Sequence, residues 1–453
     1  MRKILYIILL LSSCLTGIQG QDNAFMFLRG IPQTTQLNPA FRPIKGAYFS
    51  LPAVGAVKIN STNTGFAWSD VIRPGTGVKS DSLVVDLDNL AGVLKDNNAF
   101  ITEASYQLIG FGFYTGNSFI TIDINQKIKG RIAYPSSLLD LRYGNWDYEG
   151  NKPINHSFSD IFIDGMGYTE FALGFSKPIT DDITIGARVK YLFGAMNMKT
   201  EQFKLNVETL DNGDMRVQSG GEIVTSVPLV VEYDEDGYVE SVEFDDSVDR
   251  ANLVTNKNQG IGVDLGLTWQ VMDHLTLGAA VNDLGYINWK SHTNKFTSDG
   301  TFLFSGHDIG SVISGEEDDT DYWEELSDSL KNTFRVSDEA SSYRTGLQGS
   351  FNLSANYKHR NWLNMGAVTR NYFVDGKWYP EMTLAAGLSP GKALSTVFTY
   401  SMKKNAYANF GAGLALRGGP LQLYLVTDNL DALTAPHRAK AVNVRMGLNL
   451  IFD

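Results

Sequence analysis

Cysteine is all but missing: the 453 residues hold one, Cys14. No intrachain disulfide can form, and a thiolate nucleophile or cysteine metal site has nothing to be built from. Histidine is also scarce, and His156, His274, His292, His307, His359 and His437 show no metal-ligand spacing. Basic side chains number 38 against 50 acidic ones, a net charge of −12 with no basic stripe. A surface of that sign repels nucleic acid. Beyond the leader no apolar run approaches the ~20 residues of a membrane-spanning helix. Membrane crossing would therefore require a closed set of strands. Proline is rare at 13, while Tyr, Phe and Gly are plentiful at 20, 25 and 44.

The first twenty residues read as an address. Met1-Arg2-Lys3 is a basic start, Ile4 to Leu11 an apolar stretch, and Ser12 to Gly20 a small, polar region. This is a secretory signal peptide over residues 1–20, with cleavage expected after Gly20. Leu11-Ser12-Ser13-Cys14 resembles a lipobox, which would lipidate Cys14 instead; the small-residue region running on to Gly20 favours ordinary cleavage.

Alternation dominates the rest. Ile183, Ile185, Ala187, Val189, Tyr191 and Phe193 oppose Thr184, Gly186, Arg188 and Lys190. Ile261, Val263, Leu265, Leu267, Trp269 and Val271 oppose Gly262, Asp264, Gly266, Thr268 and Gln270. Each segment is a strand with one apolar face and one small or polar face. Strands are expected near 46–58, 105–114, 118–130, 166–177, 183–197, 259–271, 275–283, 347–358, 362–373, 380–388, 393–402, 406–417, 421–428 and 440–452. Every second connection is tight, as at Thr115-Gly116-Asn117 and Gly418-Gly419-Pro420. The intervening ones, such as 59–104, 131–165, 198–258 and 284–346, are mostly long. Loops sorted in this way mark an antiparallel up-and-down transmembrane β-barrel of about fourteen strands, with both termini on the short-turn, periplasmic side. Acid concentrates in the long connections, from Asp234 to Asp246 and from Glu316 to Asp328, as a lipid-facing band would require. Trp269, Trp289, Trp362, Tyr372, Phe373, Trp378, Tyr379 and Tyr400 near strand ends suit interfacial girdles. Helical spacing at Leu87-Leu90-Leu94 and Trp323-Leu326-Leu330, and more weakly at Leu138-Leu141, predicts short helices in the loops.

The two ends of the expected barrel, residues 46–453, carry further signals. In the last strand Val442, Val444, Met446, Leu448, Leu450 and Phe452 share one face. Arg445-x-Gly447-x-x-Leu450-x-Phe452 resembles the closing signal that outer-membrane barrels present to their assembly machinery. A charge at Leu448 should block assembly, and the same change at Asn449 should be tolerated. Before the first strand, residues 21–45 hold Phe25, Met26, Phe27, Leu28, Ile31, Leu37 and Phe41, punctuated by Pro32, Pro39 and Pro43. That is too apolar for a free tail. The segment is expected to fill the lumen as a plug or hatch, with Phe25, Phe27, Leu37, Asn38, Pro39 and Phe41 as its key residues.

Catalytic patterns are weak. Gly387-Leu388-Ser389-Pro390-Gly391 matches a nucleophile elbow in letters only, because a strand-to-helix turn is required and here a Pro-Gly turn joins two strands. Asn155-His156-Ser157 gathers an amide, an imidazole and a hydroxyl, but neighbours on an extended chain point apart, so a solvated loop is expected. Asp234-x-Asp236-Gly237 lacks the further ligands of a calcium loop. Ala280-Val281-Asn282-Asp283-Leu284 and Val426-Thr427-Asp428-Asn429-Leu430 both end a strand with an Asp phrase, read as Asx side chains bonding local backbone. No cofactor, metal or enzymatic activity is expected.

Several phrases in order resemble an uncharacterised family of Bacteroidota outer-membrane proteins, a domain of unknown function. They are Gln36-Leu37-Asn38-Pro39-Ala40-Phe41, Leu51-Pro52-Ala53-Val54-Gly55, Ile109-Gly110-Phe111-Gly112-Phe113, Tyr134-Pro135-Ser136-Ser137-Leu138-Leu139 and Val281-Asn282-Asp283-Leu284-Gly285-Tyr286-Ile287-Asn288-Trp289. That family looks related to long-chain fatty-acid transporter barrels and to the shuttle barrel of type 9 secretion. The resemblance implies passive transport or binding of a hydrophobic or amphipathic small molecule in the outer membrane. The alternative is a docking barrel for secretion or surface-attachment partners. Outer-membrane lipid and the barrel assembly machinery are implied as partners in either case.

Overall fold

The computed structural model describes residues 22–75, 80–143, 145–147, 150–158, 161–235, 239–245, 257–304, 337–339, 341–374, 377–403 and 406–452. The signal peptide with Cys14, the acidic stretch 316–328 and the helix expected at 323–330 lie outside them.

Fourteen antiparallel strands close into a barrel. They are β1 (Ala47–Ser50 continued by Val57–Asn63), β2 (Asn97–Thr115), β3 (Ser118–Pro135), β4 (Phe162–Pro178), β5 (Ile183–Thr209), β6 (Gln259–Met272) and β7 (Leu275–Trp289). The second half comprises β8 (Ser350–Arg360), β9 (Leu363–Val374), β10 (Lys377–Leu388), β11 (Leu394–Lys403), β12 (Ala406–Gly418), β13 (Leu421–Thr427) and β14 (Ala441–Phe452). Each strand pairs with its sequence neighbour. β14 closes on β1, with Ala47 opposite Phe452 and Val57 opposite Met446. A closed ladder leaves no edge with unpaired backbone groups.

All six tight turns lie at one end, and the long connections lie at the other, where β5 runs on beyond the barrel. There it pairs with Met215–Ser226, which in turn pairs with Thr293–Phe304. The loop helix at Leu87–Val93 forms as its spacing requires, and Ser136–Tyr143 winds as a 3₁₀ helix.

Side-chain direction follows the alternation. On β5, Val189 is 61% exposed on the outer wall while Arg188 and Lys190 are buried in the lumen. On β14, Val442, Met446 and Phe452 face outward, and Asn443, Arg445 and Asn449 face inward. Two aromatic assignments need correction. Trp289 is fully buried and donates from Nε1 to Thr345 Oγ1 at 2.7 Å, and Tyr379 is also buried. Both sit on inward positions of their strands, so neither joins a girdle; Trp269 and Trp362 are exposed.

The first strand is not the continuous one its alternation predicts. Pro52 has no N–H to give a ladder, and Ala53 takes φ +64°. Residues Leu51–Ala56 therefore form a tight bulge, closed by Gly55 N–H donating to Leu51 O at 2.6 Å. The Gly55 carbonyl turns inward, where Gln33 Nε2 reaches it at 3.4 Å.

Candidate functional site

Residues 22–44 lie inside the ring of strands. Asn23–Phe27 is one helical turn and Pro32–Gln36 a 3₁₀ turn, with Pro32 placed where a missing N–H is harmless. Ala24, Phe25 and Ile31 are fully buried, and Phe27 and Leu37 nearly so. They pack on inward residues of β9 to β13, namely Val368, Ala385, Val397, Ala415, Tyr424 and Val426. The wall has glycine where the segment presses hardest: a Cβ at Gly366 would collide with the Phe27 ring, and one at Gly186 with the Pro39 and Ala40 backbone.

Polar contacts hold the segment on all sides. Asp22 pairs with Lys58 of β1 at 2.7 Å and with Arg445 of β14 at 2.9 Å, while Arg370 of β9 stands 3.8 Å away. Burial alone would push the Asp22 carboxyl up. The Lys58, Arg445 and Arg370 charges overcome that and hold it well below the usual carboxylate range. The amides of Asn23 and Ala24 donate to the Asp428 carboxylate at 3.3 and 2.8 Å, and Asn23 Nδ2 donates to Glu381 Oε1 at 2.7 Å. Gln33 Nε2 donates to Ser50 Oγ and Asn449 Oδ1, both at 2.7 Å. Asn38 Nδ2 donates to the carbonyls of Leu267 and Ala279 at 3.2 and 3.3 Å. Arg445 also lies over the Phe25 ring, 3.7 Å from its centre.

On β3 to β7 the lumen is filled by ion pairs. Arg188 contacts Asp123 at 3.0 Å and Asp264 at 3.1 Å. Lys190 contacts Asp283 at 2.7 Å, and Lys127 contacts Glu170 at 2.7 Å. Such buried charges are tolerable because each meets an opposite one.

A cavity lies on each side of the segment. Toward the long loops is one of about 130 Å³. Among the described residues that line it, Lys58, Lys127, Lys129, Arg131, Arg370 and Arg445 are basic, and Asp22, Glu103 and Asp283 acidic. Toward the short turns is a vestibule of about 670 Å³, where Arg29, Arg42, Lys45, Lys358 and Arg360 face Asp273.

The six residues named for the segment are thus all within it, and Pro39 touches the wall through its backbone. Of the proposed closing signal, Arg445 is buried against Asp22, and Gly447 sits where a side chain would strike the Gly55 carbonyl and Tyr424. Phe452 is on the outer wall, and Leu450 shares its outward face.

Three readings of the sequence are corrected. Asn449 is fully buried and tied to Gln33, Ser50 and Gln422, so a charge there would not be harmless. Asp428 and Asp283 do not bond their local backbone: the first caps the luminal helix, and the second, at φ +58°, joins the ion pairs. Finally, His156–Ser157 is not a solvated loop but a short strand paired with β5. There Ser157 Oγ donates to Asn206 and Asn155 Oδ1 accepts from the Thr209 amide. Ser389 is a turn serine bonded to Ser395 at 3.0 Å. The residues that sequence reasoning missed are Asp22, Lys58, Arg370 and Asp428. Their signal was a charge on the small-residue face of an alternating strand, or just beyond its end.

The chain belongs to a family of unknown function (DUF5723), which matches residues 39–428. No curated protein matches it. Among solved structures it is similar to the Ralstonia pickettii toluene transporter TbuX, at 11% identity and a TM-score of 0.46 over 97% of this chain and 99% of that one. It is also similar to a Pseudomonas aeruginosa FadL homologue, at 12% identity and a TM-score of 0.41 over 95% and 96%. At these identities no ligand of theirs transfers to this chain.

Proposed function

We propose that this protein is an outer-membrane barrel that lets a small amphipathic molecule pass, with residues 22–44 as a plug. The observation that carries the reading is the position of that segment. It is buried within a closed wall, pinned by side-chain contacts rather than by strand pairing, and flanked by a cavity on each side. Main-chain pairing would have made it a permanent part of the wall; side-chain latches can let go. The rival reading, a docking barrel for secretion or surface partners, leaves this segment without a task.

The outer wall supports the location. Leu173, Val189, Ile261, Leu265, Leu353, Phe398, Leu423 and Leu425 are exposed on it. Apolar patches on a soluble monomer rarely exceed a few hundred Å², whereas a barrel in lipid needs an apolar belt round its circumference. Among the described residues no helix is long and apolar enough to cross a membrane. Short turns face the periplasm in such barrels, which would put the wider vestibule and Phe452 on that side. Leu450 and Phe452, facing outward beside the seam, remain the residues assigned to recognition by the assembly machinery.

The test is deletion of residues 22–42 with single-channel recording. Conductance should rise in a barrel whose gel mobility still shifts on heating, the mark of a folded barrel. A folded deletion protein with unchanged conductance would sink the plug.

A further inference from the structure

We infer that the 130 Å³ cavity beside the plug is an oxyanion site, and that the solute is an amphipathic molecule with a carboxylate or phosphate head. The inference names the solute class that the transport reading leaves open, and rests on that reading for its role.

Charge carries the argument. The whole chain is net −12, yet the described residues lining this cavity hold six basic groups against three acidic ones. The nearest other carboxylates are turned away from it: Glu381 accepts from Asn23, and Asp428 caps the plug helix. The vestibule on the far side repeats the pattern, with five basic groups against one acid. A positive surplus on both sides of the plug, in an acidic protein, concentrates anions along the one route through it.

One cation is also left over. Arg370 is 4% exposed and lines the cavity, and its Nε and Nη1 have no hydrogen-bond partner among the described residues. Its contact with Asp22 is long, at 3.8 Å, because Lys58 and Arg445 hold that carboxylate more closely. A buried guanidinium with two open N–H groups matches the paired oxygens of a carboxylate or phosphate. Lys129, 3.6 Å from Asp283, adds a second charge on the same cavity. Size sets the rest: a cavity near 150 Å³ holds about one benzene, so 130 Å³ admits a head group and a few carbons. An uncharged hydrophobe would have to bury these cations without answering them.

Calorimetric titration of the full-length protein in a neutral detergent tests this, with hexanoate, hexyl phosphate and hexanol as probes and protein-free micelles as the blank. Either anion should bind saturably and at least tenfold more tightly than hexanol; the tighter of the two identifies the head group. Arg370→Met and Lys129→Gln should each weaken the anion about tenfold and leave hexanol unchanged, with heat-shifted gel mobility confirming a folded barrel. Equal binding of hexanol and the anions, no anion binding, or wild-type anion affinity in both variants would overturn the site. These results are independent of conductance, so the site can fail while the plug stands, and the reverse.

Discussion

Asp22→Asn tests the latch at its most connected point. The carboxylate lies 2.7 Å from Lys58 Nζ and 2.9 Å from Arg445 Nη1, with Arg370 behind them at 3.8 Å. Neutralising it keeps the shape but leaves three buried cations facing one another, with Glu103 answering only Lys58, at 2.8 Å. Removing one member of a buried ion pair costs about 3–5 kcal/mol, because its partner is stranded. Asp22 belongs to the removable segment rather than to the wall, so the loss should appear in docking and not in barrel stability. At ~1.4 kcal/mol per tenfold, even the lower figure moves the docked-to-undocked ratio by about a hundredfold. Planar-bilayer recording should therefore show an open fraction raised by about two orders of magnitude, with unchanged heat-shifted mobility. Adding Lys58→Met should recover part of the closed time, since it removes one stranded charge. Wild-type gating in a folded Asp22→Asn protein would refute the latch. So would a lower unfolding temperature with no openings, which would make the segment ordinary core.

Leu448→Arg and Asn449→Asp should fail in different ways. The first puts a charge on the outer wall, worth about 2–4 kcal/mol at the bilayer midplane, and should cut the folded barrel recovered from membranes. The second should assemble but leak, because it sets a charge among Gln33, Ser50 and Gln422; equal yields of closed barrels from both would contradict the inward and outward assignment. Acid should open the wild-type channel only late. A carboxyl whose docked pKa is depressed contributes fully above its free value of about 3.9 and loses that contribution as pH falls through the docked value. Closed-state conductance should thus be flat from pH 8 to about 5 and rise below about 4, and openings beginning near pH 6 would point to another group.

The barrel was legible because its rule is local. A strand with one face in lipid and one in the lumen must alternate, so Val189 and Arg188 declare opposite faces without knowing what lies beyond them. Loop lengths then fixed the direction of every strand. Even the break in β1 had a local sign in Pro52, though the alternation around it argued for continuity. The latch obeys no local rule. Asp22, Arg370 and Arg445 meet only after the last strand has closed on the first, and 423 residues separate the outer two. What the sequence does carry is a constraint: a charge on the inward face of a strand must find an opposite charge or a ligand once the ring shuts. Arg188 and Lys190 find carboxylates on neighbouring strands, and Lys58 and Arg445 find Asp22 on the plug. Arg370 alone among these five keeps buried N–H groups on more than one nitrogen unanswered. The same constraint that explains the rest of the lumen therefore directs attention to the solute, because the unmet requirement sits on the surface that a passing anion would reach.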